Sequence, residues 1–421
     1  MRAFVQMAVC LVSFEGHPRP GQSGLVLVGS GIAARPGSRT ADEGIRDMRT
    51  WRRCLAAAAV HNPSARGDYA AAARYLRRRD PALYAAIRLL GWDEYQPHAI
   101  SGYAFAGFTD DLCDHGTPDE RMRRLDRWHE HVRTALASGT ARHPVLRAYL
   151  RSVQDRQMPH RWIHAYLEGA RVDLNFNGFG SDADQQAYID QLSWPFAMLT
   201  ADLVHCGGGS PRYARVCRSL AEAWQRADFL TDLHEDLRGG RLYLPADALS
   251  QHGVTRSDLE SGTNSARVRA LVCSAADVAL AAARESAAII EEMPVPLHAL
   301  NRFAVRLAQQ RLEQVKVLGA AITRAPVRDY PAACLKLMTA AYCEARRTRP
   351  KQLAPTARAA RAVPELETKN LPTAGTAAVR PPTPPRDASW EPLQSVGDDE
   401  TRHGSTRSGT AGDARGNQTR P

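Results

Sequence analysis

Lysine is almost missing from this chain. Only Lys316, Lys336, Lys351 and Lys369 occur, leaving 51 arginines among the 55 basic residues. The formal net charge of +10 therefore comes from scattered arginines and not from one basic block. No nucleic-acid-binding motif accompanies them, so nucleic acid is excluded as a partner. None of the eight cysteines pairs with another at Cys-x-x-Cys spacing, which argues against a zinc site or a redox pair. A chain of 421 residues has no need of disulfide staples, so the thiols are expected to be reduced, as in a cytoplasmic protein. No apolar run reaches the roughly 18–20 residues that span a bilayer. Ala3 to Phe14, after Arg2, has a faint signal-peptide character, but Gln6 interrupts it and no small-residue cleavage site follows. Alternating β patterns and solenoid-length repeats are also missing.

What the chain does have is hydrophobic residues, 44% of the total, enough for a sizeable core. Its composition changes twice. Residues 1–50 form an irregular leader of Gly, Pro and Ser; translation is expected to start at Met48, the preceding residues not being native. Residues 51–347, rich in Ala, Leu and Arg, are expected to form one all-α domain. From Thr348 to Pro421 the chain turns to Pro, Thr, Gly and Arg, with Arg380-Pro381-Pro382-Thr383-Pro384-Pro385 in the middle. That tail has too little apolar surface to offset its ordering entropy and is expected to be disordered.

Breakers mark the helices of the middle region. Asp80-Pro81 starts one and Gly91 ends it; Gln96-Pro97 opens the next, which runs to Asp114. Thr117-Pro118-Asp119-Glu120 supplies an N-cap, an N1 proline and first-turn acids. His143-Pro144 and Met158-Pro159 open two more, and Gly207 to Pro211 reads as a loop. Helices over Arg256–Glu292 and Leu297–Ala321 complete the expected bundle. Leu25 to Ala34 has the look of a strand and a dinucleotide-binding turn. Arg35-Pro36-Gly37 then breaks the helix that such a turn requires, so that reading is set aside.

Two acidic clusters carry the chemistry. Asp110-Asp111-Leu112-Cys113-Asp114 ends a helix whose preceding stretch, Tyr103 to Phe108, is apolar. Asp232-Leu233-His234-Glu235-Asp236 is expected on the helix from Pro211, followed by the basic loop Arg238-Gly239-Gly240-Arg241. In each cluster the outer aspartates are four apart and share a helix face. A single pair of this kind is usually a solvated face. Two such pairs from facing helices aim four carboxylates into one cavity. Mutual repulsion then favours hard divalent cations, and Mg2+ suits them because it shares carboxylates with substrate phosphates.

From about Ala65 to Met338 the chain also resembles the squalene and phytoene synthases. The run from Asp232 to Asp247 is similar to that family's second aspartate-rich motif and the "GR-x-YLP-x-D" segment after it. Asp110 to Asp114 is similar to the first motif. Leu167 to Leu174 looks like an "EGM-x-x-DL" segment, Tyr103 like a tyrosine near the diphosphate, and Gln225 like a glutamine before the second motif. The resemblance implies an isoprenoid-synthase helical bundle with a central cavity. It implies a Mg2+-dependent prenyltransferase that ionises an allylic isoprenyl diphosphate. The catalytic residues it implies are Asp110, Asp114, Asp232 and Asp236, with Asp111 and Asp228 as further metal ligands. Diphosphate or substrate contacts fall to Tyr103, Gln225, Arg238, Arg241 and Tyr243. Phe105, Phe108, Phe176, Trp194, Phe196 and Trp224 are cavity-lining candidates, each more simply read as core.

Departures from the family steer the reaction expected. Gly107 and Thr231 stand where the family carries arginines, Asp228 where it carries asparagine, and Leu192 to Met198 replaces its "YC-x-x-VAG" helix. No convincing match to its Ser-rich motif is present. With two phosphate-binding arginines lost, the expectation leans slightly towards one diphosphate donor and an uncharged, aromatic small-molecule acceptor in secondary metabolism. The alternative is head-to-head coupling of two isoprenyl diphosphates to a phytoene- or squalene-like product, with Arg238, Arg241, Arg324 or Arg328 supplying contacts. Peripheral contact with a membrane is compatible with either.

Overall fold

The computed structural model describes residues 50–348 apart from 115, 206–209 and 329–330, all within the unit Met1–Ala354. The leader and the tail expected to be disordered, with the glycines of the 207–211 loop, lie outside the described residues.

Every regular element among the described residues is helical, as the sequence predicts. A helix over residues 50–57 (α1) precedes α2 (Pro63–Arg79), α3 (Pro81–Leu90), α4 (Gln96–Asp114) and α5 (Pro118–Ser138). There follow α6 (Pro144–Asp155), α7 (Arg161–Leu174), α8 (Asp182–Tyr188), a π-helical turn at Ile189–Ser193, α9 (Trp194–His205) and α10 (Pro211–Thr231). Short helices α11 (Leu233–Arg238), α12 (Ala246–Gln251) and α13 (Arg256–Glu260) lead to α14 (Ala266–Glu285), α15 (Ile289–Glu292), α16 (His298–Leu318) and α17 (Pro331–Thr348).

Local chemistry sets these boundaries. Asn62 accepts from the amides of Ser64 and Ala65 at the start of α2, with Pro63 in the first turn. Asp80 closes α2 and caps α3, accepting from Leu83 N at 2.8 Å. Thr117 and Glu120 form a full capping box. The single helix expected over Arg256–Glu292 is instead broken. Gly262 turns the chain at φ +66°, and Ser265 then caps α14 by accepting from Val268 N.

α4 and the second half of α10 are buried on nearly all sides and so lie centrally. In α4, 15 of 19 residues are buried. In α10, every residue from Ala223 to Thr231 is buried. Two hydrophobic clusters meet on α10: Trp224 and Phe229 belong to one, Ala227 and Leu230 to the other. The two acidic clusters of the sequence therefore lie where α4 and the buried second half of α10 end. No helix among the described residues is long and apolar enough to cross a membrane.

Candidate active site

Asp110, Asp111 and Asp114 sit in the last turn of α4, where no basic residue of the same helix offsets them. A helix C-terminus already carries partial negative charge, so the position is unfavourable for carboxylates without an outside cation. Asp110 is 1% exposed, and burial, with the charge of Asp114, pushes its carboxyl up to about 6. Its Oδ1 is buried without a hydrogen-bond partner. Its Oδ2 accepts from Arg79 of α2. Asp111 turns aside, accepting from Tyr75 and pairing with Arg79 Nε at 2.8 Å.

The second cluster also falls at a helix end. The sequence reading put it on the helix from Pro211, but α10 stops at Thr231 and Asp232, at φ −96° and ψ 2°, turns the chain into α11. Hydrogen bonding carries on across the turn: Asp232 N donates to Asp228 O and Asp236 N to Asp232 O, both at 2.9 Å. The aspartates thus stay in register while the backbone changes direction. Asp228 is 2% exposed, and both its carboxylate oxygens lack a hydrogen-bond partner. Burial and the charge of Asp232 push its carboxyl far above the usual range. Burial and Glu235 raise Asp232; burial and Asp232 raise Asp236 to about 7.

Both ends open on one polar cavity of about 990 Å3, its open mouth included. Asp114, Asp173, Asp228, Asp232, Glu235 and Asp236 supply the acid there, Arg121 and Arg241 the base. Gln225, Tyr188 and Tyr243 complete the polar lining. Each is fixed from behind. Ser193 of the π-helical turn donates to Gln225 at 2.7 Å, and Tyr188 donates to Asp173 at 2.6 Å. Arg241 donates to the Tyr243 hydroxyl at 3.0 Å. The Tyr243 ring stacks on Phe176 at 4.3 Å and on Phe229 at 4.5 Å.

A second cavity, apolar and of about 900 Å3 with its open mouth included, is lined by Tyr103 of α4, by Phe196 of α9 and by Leu220 and Trp224 of α10, among others. Arg311 of α16, 4% exposed, lies 5.1 Å from the centre of the Trp224 ring. Trp224 and Gln225 are consecutive, so along α10 the lining of the apolar cavity is followed directly by that of the polar one.

Of the residues singled out in the sequence, Asp114, Asp228, Asp232, Asp236, Gln225, Arg241 and Tyr243 line the polar cavity, with Asp110 next to Asp114 just behind it. Asp111 and Arg238 do not line it, Arg238 being exposed on the surface. Tyr103 faces the apolar cavity instead, its hydroxyl pushed up by burial while bonding to Thr200. Of the aromatic candidates, Phe196 and Trp224 line the apolar cavity. Phe105 stacks on Tyr149 at 4.3 Å and Phe108 packs against Trp128, as core.

Sequence reasoning missed Arg79, Arg121, Asp173 and Tyr188. Asp173 lay within the Leu167–Leu174 segment already noted, and Tyr188 directly precedes the stretch read as divergent. Arg79 and Arg121 gave no signal, because scattered arginines are common in this chain.

Among the described residues, no three His, Cys, Asp or Glu side chains converge on one ion position. Mg2+ needs only one or two carboxylates beside water and substrate phosphate. The unpartnered oxygens of Asp228 and Asp110 are hard donors of that type, so the residues fit such an ion.

Comparison with known proteins agrees with this architecture. Over 214 residues the chain is 30% identical to a bifunctional protein CrtB/UppS of Streptomyces coelicolor, covering 51% of this chain and 37% of that one. It is 28% identical over 181 residues to a presqualene diphosphate synthase of Rhodopseudomonas palustris, covering 42% and 62%. With a phytoene synthase of Thermus thermophilus identity is 33% over 154 residues, covering 35% and 50%. The matches thus span between about a third and two thirds of these relatives' lengths. The fold matches that of squalene synthase HpnC from Alicyclobacillus acidocaldarius at a TM-score of 0.58 and 24% identity, over 62% of this chain and 98% of that one. A dehydrosqualene synthase matches at 0.59 and 20% identity, over 67% and 98%. The profile described as Squalene/phytoene synthase matches residues 76–360, most of the chain, and the protein belongs to that family.

Proposed function

We propose that this protein is a Mg2+-dependent prenyltransferase that couples two isoprenyl diphosphates head to head, giving a phytoene- or squalene-like product. One observation carries the reading. α4 and α10 each run from the apolar cavity, at Tyr103 and Trp224, to the acidic end at Asp114 and Asp228. A substrate with an apolar chain and a diphosphate head matches that polarity along both helices.

The aromatic acceptor expected from the sequence rested on two lost arginines, and the relatives, named as phytoene and presqualene diphosphate synthases, favour the alternative. The charge is not lost from the site. Arg79 lies beside Asp110, and the charge of Arg311 acts on Asp228 and Asp232. Arg121 and Arg241 line the polar cavity itself. Four guanidinium groups near two acidic helix ends support accommodation of more than one diphosphate.

Asp110 and Asp114 on one side, and Asp228, Asp232 and Asp236 on the other, would hold Mg2+. The bound ion supplies charge neutralisation for a diphosphate leaving group. Arg121 and Arg241 bind and orient the diphosphate oxygens. Trp224 and Phe196 enclose the prenyl chain, and their π faces favour an allylic cation. The apolar walls keep water from that cation until the second chain captures it.

The test is incubation with Mg2+ and geranyl, farnesyl or geranylgeranyl diphosphate alone. A product carrying two prenyl chains, with pyrophosphate released, is expected. Pyrophosphate release that requires an added aromatic compound would restore the other reading.

A further inference from the structure

The Arg79 guanidinium at the end of α4 is held from three directions. Nη2 donates to Asp110 Oδ2, Nε lies 2.8 Å from Asp111 Oδ1, and Nε donates to the Gly107 carbonyl at 3.2 Å. One turn earlier on α2, the Tyr75 hydroxyl donates to Asp111 Oδ2. Gly107 makes this possible. A Cβ there would stand 3.1 Å from Arg79 Cδ and 3.2 Å from Nε, and a longer side chain would meet the guanidinium directly.

Asp111 therefore spends both oxygens on Tyr75 and Arg79; neither Asp111, 42% exposed, nor Arg79 lines the polar cavity itself, Arg79 standing beside Asp110. Asp110 behaves differently: one oxygen meets Arg79, while the other is buried without a hydrogen-bond partner. Neighbouring carboxylates have thus separated into two jobs. The charge of Arg79 also reaches Asp114, which does line the cavity.

We propose that Arg79 is a diphosphate-binding residue at the first acidic helix end. Asp111 and Tyr75 are its positioning residues, and Asp111 is not a metal ligand. This rests on the reading of the cavity as a diphosphate site. A guanidinium is planar, permanently charged and forked, which suits two phosphate oxygens at once. Holding it by an aspartate and a tyrosine removes rotamer freedom before the anion arrives. The cation also offsets the negative end of α4, which has no basic residue in its own last turn.

Two titrations on the full chain test the proposal: inorganic pyrophosphate by calorimetry in excess Mg2+, and Mn2+ alone by the electron paramagnetic resonance of the free ion. Arg79→Ala is expected to weaken pyrophosphate at least tenfold without weakening Mn2+, and Arg79→Lys to recover part of the loss. Asp111→Asn and Tyr75→Phe should weaken pyrophosphate about threefold. Asp111→Asn should leave Mn2+ within twofold, whereas Asp110→Asn weakens it fivefold or more. If Arg79→Ala does not fold, Arg79→Gln takes its place, keeping a donor for the Gly107 carbonyl and no charge. Wild-type pyrophosphate affinity in the uncharged variant overturns the proposal, and so does an Asp111→Asn variant that loses Mn2+ as far as Asp110→Asn does. A wild-type protein that binds no pyrophosphate in Mg2+ sinks the diphosphate reading itself, a different result visible before any variant is made.

Discussion

Replacing Asp228 by asparagine is expected to stabilise the protein and to leave it active. The side chain is 2% exposed, neither carboxylate oxygen has a hydrogen-bond partner, and Asp232 stands one turn away with the same charge. Burying a polar group unsatisfied costs about 1–3 kcal/mol, and an ionised one costs more than an amide. A carboxyl pushed this far up takes on a proton when it is buried beside Asp232, a cost the amide does not have, although the amide itself stays buried. A net gain of about 1–2 kcal/mol follows, or roughly 2–5 °C in Tm for a domain of this size. The amide carbonyl remains an oxygen donor, so turnover should stay within tenfold of wild type at saturating Mg2+. With one charge fewer, half-saturation should need several-fold more Mg2+. Asp228→Leu separates the two effects, since it gains comparable stability but offers no oxygen and should lose at least a hundredfold in turnover. Thermal unfolding without divalent ions and a pyrophosphate-release assay read both quantities. An Asp228→Asn protein that melts below wild type would refute the claim that burying this carboxyl is a net cost of folding.

Asp110→Asn and Asp232→Asn should each lower turnover by at least about a hundredfold, since such groups act electrostatically; circular dichroism should show the fold unchanged. Asp110 and Asp236, raised to about 6 and about 7 from the ordinary 3.8, keep protons in the folded state that the unfolded chain has lost. Their contribution to stability therefore falls as pH rises from about 4 to about 7. Mg2+ with pyrophosphate should accordingly raise Tm more at pH 7.5 than at pH 5.5, and an equal shift at both would contradict the assignment. Gly169→Ala should destabilise by about 3 kcal/mol in urea titration, because the new Cβ would stand 2.2 Å from the Gln191 carbonyl oxygen in the π-helical turn.

What the sequence made legible was whatever is written locally. Asp80-Pro81, Gln96-Pro97 and Thr117-Pro118 announce helix starts because capping acts over three or four residues. Both acidic clusters were readable for the same reason, each lying within five residues. The break at Asp232 was not, since Thr231-Asp232-Leu233 contains neither glycine nor proline and the turn keeps its i to i+4 hydrogen bonds. The larger omission was charge supplied from a distance. Gly107 and Thr231 looked like net losses of arginine when each was compared with its own position in a motif. Arg79 enters the space left by Gly107 from α2, 28 residues earlier, and Arg311 approaches Asp228 from α16. A motif records which residue occupies a position, whereas electrostatics depends only on where the charge ends up. In a helical bundle, long arginine stems from neighbouring helices reach the same point from several positions. Loss of a basic residue from a motif is therefore weak evidence for loss of the anion it bound, and the leaning towards a single diphosphate inherited that weakness.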